Sequence, residues 1–341
     1  MLKVAVVGAT GAVGREVVSA IFDLGLPVSD LVLSSSPRSA GSKVFTPMGE
    51  VTVVNTELSA LEGVDIAFLA AGSSVSRELA PELAQRGTLV IDNSSAFRMD
   101  PEVPLVVPEV NIDAARENRG IVANPNCSTI IAIVAVAPIY SRWGLERMVV
   151  STYQAVSGAG YAAIEALEAE SRAVLAGADP EPSVLPIKSA DVHHQIAFNV
   201  IPHVDSFCDD GYTREEHKMT YEIRKILQDE SLSISATTVR VPVFRSHSES
   251  INLQTREKAT MDEVRDVLAS SPGIRLVDDP QKFLYPMPVH VSGKDDVEVG
   301  RLREDPSAPN AMWLWVVGDQ LRKGAASNAV QIGLALYNDR R

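Results

Sequence analysis

The segment Gly8-Ala-Thr-Gly11-Ala-Val-Gly14 constrains the fold more than any other part of the chain. It follows a short β-branched, apolar run over 2–7. It precedes residues 15–24, where Val17, Val18, Ile21 and Phe22 recur at helical spacing. Strand, glycine turn and helix in that order open a βαβ unit. Glycine lets the backbone turn tightly and approach a pyrophosphate, whose charge meets the helix N-terminus. The spacing is GxxGxxG and not GxGxxG, so a plain strand–turn–helix packed through glycine is the competing reading.

The rest of the first half continues the pattern. Residues 30–34, 65–70 and 88–92 are short apolar runs, and 76–86 reads as a helix between the last two. Strands alternating with helices imply a parallel sheet with right-handed crossovers, hence a Rossmann-type doubly wound α/β domain. In the second half, strands are predicted over 148–154, 232–243, 248–255 and 312–317, and helices over 161–176, 214–227 and 261–270. Such grouping suggests an α+β domain with a mostly antiparallel sheet. Residues 325–337 are again apolar at helical spacing. No internal repeat or low-complexity segment is present, and the prolines at 180–182 and 306–309 mark loops.

Charge narrows the ligands. Lys and Arg number 31 and Asp and Glu 44, a net charge of −13, with no basic stretch. Nucleic acid and anionic membranes would be repelled. Any anionic ligand must be held by a few placed cations. The two cysteines, Cys127 and Cys208, cannot build a disulfide framework and suit a reducing cytosol. The N-terminus runs straight into a strand pattern with no signal-peptide architecture. The longest apolar stretch, 130–139, falls short of a membrane span. A cytoplasmic location is the expectation.

An NAD site would place Asp or Glu at the end of the second strand to bond the ribose 2′-hydroxyl. This chain has Ser34-Ser35-Ser-Pro-Arg38-Ser39-Ala-Gly41 there and no carboxylate. Arg38 among serine hydroxyls suits a 2′-phosphate, which predicts NADP.

Asn124-Pro-Asn126-Cys127-Ser128-Thr129 leads into the apolar run 130–139. That places Cys127 near a helix N-terminus, where the dipole and free N–H groups favour a thiolate and can hold a developing oxyanion. Ser128 or Thr129 could cap that helix. A small buried hydrophobe is the bland alternative, against which the polar Asn-Pro-Asn approach argues. Cys208 lacks such a setting and reads as structural or incidental. Adjacent His193 and His194 seldom converge on one ion, and no metal is expected.

At these residues the chain resembles a known family, the aspartate-β-semialdehyde dehydrogenases. The resemblance runs along nearly the whole chain: GATGAVG at 8–14, SSxRSAG at 35–41, AAGSSVS at 70–76, IDNSSAFR at 91–98, VPEVN at 107–111, NPNCST at 124–129, TYQAVSGAG at 152–160, EExK at 215–218, VRVPV at 239–243 with His247 beyond it, and GDQLRKGAA at 318–326. It implies NADPH-dependent reduction of L-4-aspartyl phosphate to aspartate semialdehyde and phosphate. That step belongs to the biosynthesis of lysine and diaminopimelate, threonine, methionine and isoleucine.

The resemblance also implies roles. Cys127 would form the thioester, His247 would be its acid–base partner, and Gln154 would orient the substrate. Arg98 and Lys218 would hold the phosphate, Arg240 the α-carboxylate and Glu215 the α-amine, and Asn126 would also bind the substrate. Gly8, Thr10, Gly11, Ala12, Val13, Ser35, Arg38, Ser39, Ser157, Gly158, Gln320 and Asn328 would line the cofactor. Without the family, His247 reads as a surface-loop histidine, and Glu215 with Lys218 as a solvated helical ion pair. The implied domains are 1–127 for NADP and 128–321 for catalysis and homodimerisation, with a C-terminal helix over 322–341 returning to the first. N-acetyl-γ-glutamyl-phosphate reductase shares the thioester logic and is the alternative, although its acylated substrate has no ammonium for Glu215. A non-catalytic paralogue is the other.

Overall fold

The computed structural model describes residues 1–339; Arg340 and Arg341, part of the expected helix over 322–341, lie outside the described residues. The chain forms two compact units, Met1–Cys127 together with the chain from Gly324 onward, and Ser128–Lys323.

The first unit starts with β1 (Leu2–Val7) and α1 (Ala12–Asp23), then β2 (Val28–Ser35). A small hairpin, β3 (Lys43–Thr46) and β4 (Gly49–Thr52), and β5 (Val54–Asn55) follow. Then come β6 (Ile66–Leu69), α2 (Ser73–Gln85), β7 (Leu89–Asp92), α3 (Pro108–Ala115) and β8 (Ile121–Ala123). Six of these strands make one sheet in the order β5-β2-β1-β6-β7-β8, and every pairing is parallel. A parallel sheet is covered on both faces, which is why β6 and β7 are buried along their whole length and read as continuous apolar runs. The strand order reverses between β1 and β6. Ligands bind open α/β sheets outside the carboxyl ends of the strands at such a switch point. The hairpin β3–β4, β5, β8 and α3 are elements that periodicity did not indicate.

The second unit contains α4 (Cys127–Trp143, counted from its first residue), β9 (Leu145–Gln154), α5 (Tyr161–Leu175), α6 (Arg214–Leu227), β10 (Ser233–Arg240), β11 (His247–Thr255), α7 (Met261–Ser270), β12 (Ile274–Leu276), the single turn α8 (Pro288–Val291), β13 (Val297–Glu304) and β14 (Ala311–Gly318). Its sheet runs β10-β9-β11-β14-β13-β12. The three central pairings are antiparallel, and the two outer ones, β10 with β9 and β12 with β13, are parallel. The sheet is thus mixed, with an antiparallel centre.

One face of that sheet carries Ile251, opposite Val150 and Leu314, and Leu253, opposite Met148; all are buried. His247 lies across from Gly318 on the same face, and a methyl at Gly318 would come within 2.7 Å of Ile131 in α4. The other face holds Tyr153, Trp313 and Trp315, which are less buried. Helix α4 is buried on nearly all sides, as its uniformly apolar sequence requires.

The chain then re-enters the first unit. A π-helical turn over Arg322–Ala326 precedes α9 (Ser327–Asp339), so regular α-helix starts later than residue 322. The cause is local: Asp319 accepts from the N–H groups of Leu321 and Arg322, and Arg322 makes a two-pronged bond to Asp295. Those ties hold the segment until Gly324. Ala326, Ala329, Val330, Ile332 and Leu336 then complete the first unit's core beside Val17, Ile21, Phe68 and Ile91.

Candidate active site

In the first unit, Gly8 follows β1 with φ 86° and bonds back to Ser34, N to O, at 2.8 Å. A Cβ on Gly8 would lie 2.6 Å from the carbonyl oxygen of Ala70, and one on Gly14 would lie 2.1 Å from that of Gly8. These two positions therefore require glycine if the turn is to press against β6 and α1 is to start where it does. Gly11 is exposed at the N-cap of α1, with Ala12 and Val13 in its first turn. The turn therefore lies at the positive end of a helix and at the switch point of the sheet, where an anion is favoured.

Beside it, the Thr10 and Ser35 hydroxyls lie 2.8 Å apart, and Thr56 donates to the Ser34 hydroxyl. Arg38 is exposed on the loop after β2, and Ser39 next to it is half-buried. These residues fit a dinucleotide: the glycine turn would hold its pyrophosphate, and the hydroxyls at the end of β2 would hold its ribose.

At the same carboxyl end of the sheet, toward its β8 edge, Arg98 is buried. Its Nε donates to the Asn124 carbonyl and its Nη2 to that of Asn93, both at 2.9 Å. Asn124 in turn donates to the Asn93 side chain and to the Ala325 carbonyl. Asn328 donates to Asn124 Oδ1 at 2.7 Å and to the Val106 carbonyl at 2.9 Å. Its amide N–H groups are thus engaged in holding the Asn124 turn. Asn126 is buried, and Cys127, half-buried, is the first residue of α4.

In the second unit, four elements bring distant residues together. Gln154 ends β9, Arg240 ends β10 in register with it, and His247 starts β11. Glu215 lies in the first turn of α6. The Gln154 amide donates to Glu215 Oε1 at 3.1 Å, and its nitrogen is 3.5 Å from His247 Nε2. The Ala155 N–H donates to His247 Nδ1 at 3.0 Å, while the Ala155 carbonyl accepts from Arg240 Nη1 at 2.8 Å. Gly158 packs so closely that a Cβ there would meet Arg240 Nη1 at 3.0 Å and the His247 ring at 3.2 Å.

His247 is fully buried, so it is not a surface-loop histidine. Burial, and then the Arg240 charge, push its pKa well below the ordinary value. Because Nδ1 accepts the Ala155 N–H, the neutral ring carries its proton on Nε2.

Local chemistry separates Glu215 from Glu216. Thr213 and Glu216 form a reciprocal capping box at the start of α6, and Glu216 Oε1 also accepts from the Thr238 N–H. Glu216 is therefore committed to structure, while Glu215 faces Gln154 and Lys218. Lys218 Nζ bonds Glu215 Oε2 at 3.1 Å and Asp205 Oδ2 at 2.6 Å. Asp205 comes from a loop, and no sequence spacing points to it.

Gln320 Oε1 accepts from the Ser246 N–H, and its amide donates to the Ser157 hydroxyl. It thereby ties the residue before His247 to the turn that holds Gly158. Among the described residues no group of three His, Cys, Asp or Glu side chains could hold a metal ion. None of the described helices is long and apolar enough to cross a membrane.

Two family models match the chain. The semialdehyde dehydrogenase NAD binding domain matches residues 3–118, and the semialdehyde dehydrogenase dimerisation domain matches 136–323. An aspartate-semialdehyde dehydrogenase of Aquifex aeolicus is 50% identical over 99% of this chain and 98% of its own length. One of Bacillus subtilis is 49% identical over 98% and 97%. The crystal structure of aspartate semialdehyde dehydrogenase II from Vibrio cholerae superimposes with a TM-score of 0.93 at 44% identity, covering 100% of both chains. A second structure of that Vibrio enzyme, complexed with ASA, also reaches 0.93, at 43% identity over 100% of this chain and 99% of that one.

Proposed function

The chain belongs to the aspartate-semialdehyde dehydrogenase family, and we propose from that premise that it converts L-4-aspartyl phosphate, with NADPH, into L-aspartate 4-semialdehyde and phosphate through a thioester on Cys127. The observation that carries this reading is the buried set Gln154, Glu215, Arg240 and His247 with the half-buried Lys218 beside Glu215. It offers one carboxylate, two cations and two neutral polar groups, a match in sign for a small amino-acid phosphate.

The steps balance without a metal. The Cys127 thiolate attacks the acyl phosphate carbonyl. The C–O bond to phosphate breaks, and phosphate leaves with its electron pair and takes up one proton from solvent. NADPH, when held in the first unit, would supply the hydride that reduces the thioester carbon. The C–S bond then breaks, and aldehyde and thiolate separate. Two tetrahedral oxyanions form on the way, and the Nε2–H of His247 is the donor for that charge. The Ala155 N–H makes Nε2 the proton-bearing nitrogen, so His247 acts through donation. Helix α4 places the positive end of its dipole at Cys127.

Arg240, with a guanidinium fixed by Ala155, binds the α-carboxylate. Glu215 takes the α-amine, Gln154 aligns the acyl carbon, Lys218 and Arg98 take the phosphate, and Asn126 is a further substrate contact. Gly8, Thr10, Gly11, Ala12, Val13, Ser35, Arg38 and Ser39 hold the NADP adenosine diphosphate. Ser157, Gly158, Gln320 and Asn328 support its nicotinamide end.

The same reading makes the protein a cytoplasmic homodimer that serves lysine, diaminopimelate, threonine, methionine and isoleucine synthesis. The match of 136–323 to a dimerisation domain supports the dimer, and two cysteines not joined by a disulfide suit a reducing compartment. The aspartyl name of the relatives favours this reading over the acetylated-glutamyl alternative.

A reverse assay tests it. Protein, NADP or NAD, phosphate and either L-aspartate semialdehyde or N-acetyl-glutamate semialdehyde are mixed, and reduced cofactor is followed by absorbance. Reduction that needs phosphate, the aspartyl substrate and NADP is the expected result. Turnover of the acetylated substrate alone, or with NAD alone, overturns the respective part.

A further inference from the structure

Asp205 sits on the loop before α6 with a left-handed backbone, φ 67°. Such a conformation costs energy in a residue with a side chain, although aspartate tolerates it better than most. It directs the carboxylate to two partners. Oδ1 accepts from the Ser206 N–H, and Oδ2 accepts from Lys218 Nζ at 2.6 Å. Lys218 bonds Glu215 as well, so one ammonium lies between two carboxylates. The side chains of Lys218 and Asp205 are 26% and 30% exposed, and that of Glu215 is 6% exposed. A surface ion pair of this kind would be worth little. A half-buried lysine with a flexible stem is different, because its orientation has to be imposed.

We propose that Asp205 is a positioning residue for phosphate: with Glu215 it takes two of the three Lys218 N–H donors and so directs the third to the phosphoryl group of the substrate. The proposal deepens the reading given above and rests on Lys218 meeting the phosphate. It accounts for a strained aspartate beside a lysine that Glu215 already pairs. It also bears on charge. Burial opposes the charged form of Lys218, and the attraction of Glu215, from its own helix, and of Asp205, from the loop, outweighs it and raises the pKa.

The test is a cycle of four proteins: wild type, Asp205→Asn, Lys218→Met and the double variant. Asparagine keeps an acceptor for Ser206 and tolerates the left-handed backbone. Asp205→Gly, which adopts that backbone without strain, stands in if Asn fails to fold. KM for inorganic phosphate, KM for L-aspartate semialdehyde and kcat are measured in the reverse direction over a pH series. Asp205→Asn should raise the phosphate KM about tenfold and leave the semialdehyde KM within about twofold. The alkaline limb of kcat/KM for phosphate should move to lower pH, since Lys218 loses a partner that favours its charge. In the Lys218→Met background the Asp205 change should add nothing.

An unchanged phosphate KM in Asp205→Asn overturns the proposal. So does a rise in both KM values that persists in the Lys218→Met background, the mark of a structural role. If Lys218→Met itself leaves the phosphate KM unchanged in an active enzyme, the phosphate assignment of Lys218 falls first and takes this proposal with it.

Discussion

Replacing Glu249 by glutamine should remove a loss of stability that the wild type suffers as pH rises. Glu249 lies on β11, two residues from His247 on the same face, opposite Thr152 and Val316. It is fully buried, and neither carboxyl oxygen has a hydrogen-bond partner among the described residues. Burial alone pushes its pKa well above the ordinary value of 4.5, so the folded protein holds it neutral. In the unfolded chain the same group ionises near that ordinary value. The folded state therefore binds the proton more tightly. Stability is full below the unfolded pKa and falls as pH rises toward the folded pKa.

The slope is about 1.4 kcal/mol per pH unit within that window. Between pH 5.5 and 7.5 the wild type should lose up to about 2.7 kcal/mol relative to Glu249→Gln, which is neutral in both states. For a unit the size of the second one, this corresponds to roughly 5–10 °C in the difference between the two melting temperatures. Thermal melts of both proteins across that range, in buffers with small ionisation enthalpies, check it. Melting curves that stay parallel at every pH would refute the argument, because Glu249 would then be ionised, and solvated, in the folded state.

Cys127→Ala should lower turnover by roughly a thousandfold or more while NADPH still binds, as fluorescence titration would show; substantial residual turnover excludes the thioester. Arg240→Ala should weaken substrate binding by about 2–4 kcal/mol, read as a raised KM for the semialdehyde, and an unchanged KM removes Arg240 from the site. His247 is held neutral, so kcat should show no imidazole inflection between pH 6 and 8. An inflection near pH 6.5 that vanishes in His247→Asn would contradict its burial. Gly14→Ala places a methyl 2.1 Å from the Gly8 oxygen and must displace α1, so NADPH affinity should fall by roughly tenfold or more; unimpaired binding would show that the turn does not hold the cofactor.

Much of the architecture was legible because it depends on local pattern. The strands of the parallel sheet are short apolar runs, and α6 and α7 start at Thr-x-x-Glu capping boxes, so their limits agree with the periodicity. Strand β13 escaped notice because Glu298, Arg301, Arg303 and Glu304 interrupt its apolar residues, while Val297 and Val299 are buried. The β3–β4 hairpin lies outside the main sheets and has a largely solvated surface, so no burial pattern marks it.

The site was legible only in part. The glycine turn and the serine–arginine loop carry their chemistry in sequence order. Gln154, Glu215 and His247 meet across 61 and 93 residues of chain, and no spacing rule foretells that. Their roles came from resemblance to a family. Asp205 and the Ala155 backbone, which orient Lys218 and His247, left no signal in residue type or periodicity.

The return of α9 to the first unit has a consequence for the order in which the protein matures on the ribosome. Val17, Ile21, Phe68 and Ile91 are made early, yet the residues that cover them, Ala326 to Leu336, are made only after the whole second unit. At typical rates of about 5–20 residues per second, translation takes on the order of 10–40 s to pass from Cys127 to Gly324. Throughout that interval the nascent nucleotide-binding unit exposes an apolar face with no native cover. The second unit is contiguous in sequence and can close its own core first. The half of the chain that is synthesised first is therefore the half that finishes folding last, and a ribosome stalled before residue 326 leaves a chain that chaperones and proteases will recognise.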